Sequence, residues 1–80
     1  MIDQGTGIYK HDDFDAEFIF KIESICNSIA STGLDPYTQL MGYLLTGNDY
    51  YITRTGNARA MIETLEASQI QAYVSHYLEK

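Results

Sequence analysis

The chain has one cysteine, one proline, no tryptophan and only five basic side chains among its 80 residues. A lone Cys26 excludes an internal disulfide. With only His11 and His76 beside it, the chain cannot supply the four ligands of a structural zinc site, and no metal or cofactor is expected. No apolar run approaches the roughly 20 residues that span a membrane. The N-terminus lacks the basic and apolar regions of a signal peptide. Eleven acidic side chains against the five basic ones give a net charge of −6. Phosphate backbones and anionic membrane surfaces repel such a chain, so neither nucleic acid nor membrane is an expected partner. An unpaired thiol agrees with a reducing, cytoplasmic location.

At 45% hydrophobic, with seven tyrosines and three phenylalanines, the chain is too apolar for disorder. A domain this small buries only roughly 60% of the surface its unfolded chain exposes. Without a disulfide or a metal, a second subunit is the remaining support, and a homodimer is expected.

Periodicity predicts an all-α unit of four helices, the third short, over residues 14–80, preceded by a mobile tail at 1–13. The tail holds two glycines around Thr6, and only Gly7–Lys10 has faint strand character. Helix one starts near Asp15, with Asp12, Asp13, Asp15 and Glu17 where a helix N-terminus favours negative charge. Phe18, Ile22, Ile25 and Ile29 form one stripe, flanked by Glu17, Lys21, Ser24 and Ser28 as a solvated border, and Gly33 supplies the stop. Helix two has Asp35 as cap, Pro36 at its first position and Gly47 past its end. Its core stripe is Tyr37, Leu40, Met41, Leu44 and Leu45, and Gly42 marks a close approach of another backbone. Gly47-Asn48-Asp49 is a turn signal, and Tyr50–Thr53 is extended by propensity. Thr55-Gly56-Asn57 caps a short helix with Ala58, Met61, Ile62 and Leu65. Ser68 and Gln71 form a capping box for the last helix, whose stripe is Ile70, Tyr73, Val74, Tyr77 and Leu78.

Catalysis finds no support. No nucleophile elbow, phosphate-cradling glycine loop or metal-ligand spacing occurs. The acidic run from His11 to Asp15 lacks the alternating ligands and central glycine of a calcium loop, and helix capping explains it better. His76 fits a partly packed histidine, and Cys26 a small core residue. Phe20 is more informative, because it projects about 200° away from the Phe18 stripe and suits a contact with a second chain. Gly42, Tyr43, Tyr50 and Tyr51 are further interface candidates, while Tyr37, Tyr73 and Tyr77 are assigned to the core. Arg54 and Arg59, the only arginines, flank the start of helix three around Asn57, a combination able to bind an anion. The competing reading is that they pair with some of the acids.

The residues Pro36, Gln39, Gly42, Tyr43 and Gly47, in the pattern P-x-x-Q-x-x-G-Y-x-x-x-G, continue with Tyr51, Arg54, Asn57, Ala58, Arg59, Ile62, Tyr77 and Leu78. This register resembles the IreB family of small regulatory phosphoproteins from low-GC Gram-positive bacteria. The resemblance covers about half the chain well, and helix one only by its apolar spacing. It implies a cytoplasmic, helical homodimer without enzymatic activity. It also implies phosphorylation of a tail threonine by a membrane-anchored Ser/Thr kinase with PASTA repeats, and a restraining role in the response to cell-wall stress and antibiotics. The family tail usually carries two threonines three residues apart. Here Thr6 stands for the second, and Asp3 occupies the place of the first. Glu63, Thr64, Leu65 and Glu66 occupy a stretch that the family keeps rich in Arg and Lys, so a partner contact through such residues does not carry over.

Together these readings suggest that phosphorylated Thr6 docks on Arg54 and Arg59 and thereby hides or creates a surface for a downstream protein. The alternatives are repulsion by the phosphate, its direct reading by another protein, or a helical interaction module without a phospho-switch. A helix-turn-helix DNA binder is opposed by the charge.

Overall fold

A computed structural model describes residues 14–78, which form four α-helices and no strand. The tail with Thr6, and the strand character at Gly7–Lys10, lie outside these residues. Helix α1 (Ala16–Ser31) begins where Asp15 accepts the Phe18 amide at 2.8 Å and ends at Thr32, followed by Gly33 at φ 90°. Helix α2 (Pro36–Thr46) has the expected ends. Asp35 accepts the Thr38 amide, proline opens the helix, and Gly47 in the left-handed region donates to the Tyr43 carbonyl. A 3-10 turn (Asp49–Tyr51), buried Ile52 and a second 3-10 turn (Thr55–Asn57) lead into α3 (Ala58–Ile62). Helix α4 (Ala67–Tyr73) then widens into a π-helical turn over Val74–Leu78.

The whole Phe18, Ile22, Ile25, Ile29 stripe is buried, and it meets Leu40, Ile52, Ala58, Ile62, Ile70, Tyr73 and Val74. Gly56 sits over the Ser28 side chain and Lys21 Nζ donates to Thr64 Oγ1 at 3.1 Å, so α3 runs antiparallel to α1. Lys21, Ser24 and Ser28 are consequently half-buried, and only Glu17 of the expected solvated border is exposed.

Five expectations are corrected. Leu45 is 78% exposed, because Leu40 and Leu44 already set the inward face of α2 and no element among the described residues covers the other side. Tyr77 is 42% exposed, because the π turn adds a residue per turn and rotates the positions after Val74 out of the 3.6-residue phase. Gly42 is approached by the Tyr51 ring of the same chain, not by a backbone. Tyr50 and Tyr51 are turned rather than extended, because Asn48 Oδ1 captures the Tyr50 amide at 2.9 Å. The Ser68–Gln71 capping box does not form. The tight turn at 63–65 starts α4 two residues earlier, with Glu66 as N-cap and no side-chain cap bond.

Replacing Ile25, fully buried at the centre of the stripe, removes apolar contact and leaves a cavity. Ile25→Ala is expected to lower stability by about 2–5 kcal/mol in urea unfolding, a large share of the roughly 5–15 kcal/mol available to a domain.

Candidate anion-docking site

Arg54, Asn57 and Arg59 line one shallow depression of about 290 Å³ with Ala60 and Glu63. That volume is at the lower end of small-molecule pockets and suits a small hydrated anion. The three residues singled out from the sequence are therefore brought together, though not by a helix dipole. Helix α3 is only five residues long, and Gly56 and Asn57 before it are both left-handed, so the guanidiniums are the basis of the site.

Arg59 is held on two sides. Its Nε–H donates to the Ile52 carbonyl at 3.1 Å, and its guanidinium lies over the Tyr50 ring at 5.0 Å. Arg54 is exposed. Among the described residues the ion pair at contact distance is Lys21–Glu17 at 3.2 Å, and neither arginine makes one. The competing reading, in which the arginines pair with some of the acids, finds no ion pair at contact distance among the described residues. Instead the Glu63 and Asp49 carboxyl groups lie close enough that the protonated form of Glu63 is favoured, by hydrogen bonding to Asp49. That interaction, with some desolvation and the Asp49 charge, raises the Glu63 carboxyl above the ordinary range, while Arg59 acts in the opposite direction. The contributions of Tyr50, Asp49, Glu63 and the Ile52 carbonyl were not visible in the sequence.

The interface candidates are spread over the surface. Phe20 and Tyr50 are 69% and 79% exposed, Tyr51 is 38% exposed, and Tyr43 and Gly42 are half-buried. An unforeseen aromatic group closes the other end of α1. Phe14 stacks on Phe18 at 5.1 Å and meets Tyr73 and Tyr77 at 6.0 and 6.3 Å. His76 is exposed, with its ring edge-on to Tyr77 at 4.6 Å. No group of three or more His, Cys, Asp or Glu among the described residues is placed to hold a metal, and no helix there is long and apolar enough to cross a membrane.

The fold and site define a class: a small, acidic all-helical protein whose two arginines share one surface depression. The chain matches the model of the IreB regulatory phosphoproteins over residues 5–79. It is also 37% identical over 60 residues to a UPF0297 protein of Clostridioides difficile (strain 630), covering 74% of this chain and 71% of that protein. The chain belongs to the IreB family.

Cys26 provides a pH test of the core. Burial, and secondarily the nearby Glu23 charge, push its thiol up to about 11 from 9.0. The folded state thus holds a proton that the unfolded state releases first. The associated stability is complete below about pH 9 and is lost as the pH rises towards 11. The expected outcome is slow alkylation of native Cys26 at pH 8, rapid alkylation in urea, and a shallower alkaline loss of stability in Cys26→Ala. Burial raises the Tyr73 phenol too, so part of the alkaline slope remains.

Proposed function

We propose that this IreB-family chain is a non-enzymatic, cytoplasmic regulatory phosphoprotein that works as a homodimer. It is a transient substrate of a PASTA-type Ser/Thr kinase, which phosphorylates Thr6 in the segment 1–13. In this role it modulates the cell-wall stress and antibiotic response through a downstream protein. Family membership supports the regulatory role. The observation that carries the mechanism is the arginine pair, open in one depression and unpaired among the described residues of a chain with net charge −6. A phosphothreonine brings about −1.5 to −2 charge and strong acceptors, which guanidiniums bind in a forked geometry.

Chain length is compatible with docking. Thr6 lies eight residues before Phe14, a reach of at most about 26–29 Å when extended. Along α1 the level of Ser28, under Gly56, is about 21 Å from Phe14. The depression is thus within reach on the same subunit only for a nearly extended segment, and the dimer mate offers the other route. The exposed Phe20, Leu45 and Tyr50 favour a second reading, a helical interaction module that needs no phosphate.

Incubation with the kinase domain of its own PASTA kinase, followed by intact-mass and peptide mapping, should add one phosphate that is lost in Thr6→Ala. In NMR, the phosphorylated wild-type segment should be less mobile than that of the phosphorylated Arg54→Ala, Arg59→Ala variant. Equal mobility in the two would remove docking and leave the interaction module. Sedimentation should give a dimer mass for the wild type, shifted towards monomer by Phe20→Glu.

A further inference from the structure

We propose that Gln39 and Gly42, which belong to α2 and do not line the depression, are positioning residues that aim the Arg59 guanidinium into it. The inference rests on reading that depression as an anion site. Arg59 can present its fork in one orientation only if its Nε–H acceptor and the ring beneath it are fixed. Both belong to the segment from Tyr50 to Ile52, which provide the ring and the carbonyl. A three-residue 3-10 turn does not hold itself in place.

Its anchors lie on α2. Gln39 Nε2 donates to the Tyr51 carbonyl at 2.9 Å, one peptide before the Arg59 acceptor. Next to it on the same helix face, Gly42 carries the Tyr51 ring so closely that a Cβ there would collide with three ring atoms. Thr46 completes the link, since its hydroxyl donates to the Gly42 carbonyl at 2.7 Å and accepts the Asn48 amide at 3.1 Å. Ile52 itself is fully buried, so its side chain plugs the core while its carbonyl holds Arg59.

The need for such a device follows from charge. Glu63 stands one turn after Arg59 and Asp49 belongs to the same 3-10 turn as Tyr50, so a loose Arg59 would fold onto a carboxylate. Engaging the Nε–H leaves the other four guanidinium N–H donors for the depression. The Asp49 and Glu63 carboxyl groups lie near each other, and their proximity raises the Glu63 carboxyl above its ordinary range.

The test uses the full chain with Gln39→Ala, Gln39→Glu and Gly42→Ala, with Leu45→Ala as an exposed α2 control. Two quantities are read by NMR: hydrogen exchange of the Arg59 Nε–H, and the apparent affinity for inorganic phosphate. Circular dichroism monitors folding. The expected result is Nε–H exchange faster, and phosphate binding weaker, by roughly three- to tenfold in the three variants with helix content unchanged. The control should match the wild type. Unchanged Nε–H exchange in folded Gln39→Glu, which keeps the size of the side chain but loses the donor, would overturn the proposal. A wild type indifferent to phosphate would instead remove the anion reading, and the exchange data would still decide the positioning role.

Discussion

Everything else in this small structure leans on the dry side of α1. Phe18, Ile22, Ile25 and Ile29 meet α2, α3, α4 and the Ile52 segment in one cluster, and the three isoleucines are fully buried. Apolar burial is large but non-directional. It compacts the chain without deciding how each element is oriented. Orientation comes from a few polar ties laid over that core: Lys21 to Thr64, Gln39 to the Tyr51 carbonyl, and Arg59 to the Ile52 carbonyl. Ile52 joins the two kinds of constraint.

The charge pattern acquires meaning only on this frame. An acidic chain could have spent its arginines on surface ion pairs, which contribute at most about 1 kcal/mol each. Here Asp49 and Glu63 lie near each other, and Arg59 lies on an aromatic ring and a backbone carbonyl. Positive charge is therefore kept available in one shallow place. The aromatic group around Phe14 lies at the other end of α1, about one helix length from Gly56.

The proposed regulation draws on that separation. A phosphorylated segment near its full extension loses most of its conformational freedom on docking. Under that proposal, phosphate–guanidinium bonds must offset this loss, which makes the aim of Arg59 matter.

The sequence alone determined the local features. Asp35, Pro36 and Gly47 bound α2 as expected, Asp15 caps α1, and the four-residue stripe of α1 is buried throughout. Capping and periodicity depend on neighbours three or four residues apart, so composition and spacing carry them. The arginines and Asn57 could be picked out because they are few and close in sequence. What only the tertiary structure decided are the long-range pairs and the phases that local rules assume constant. Gln39 is twelve residues from Tyr51 and Lys21 is 43 residues from Thr64. Leu45 had a core spacing but, among the described residues, no element to cover it, and the π turn rotated Tyr77 outward. Asn48 turned a segment whose tyrosines favour extension. A side chain's own preference is local, whereas the partner that satisfies it is supplied by the packed fold.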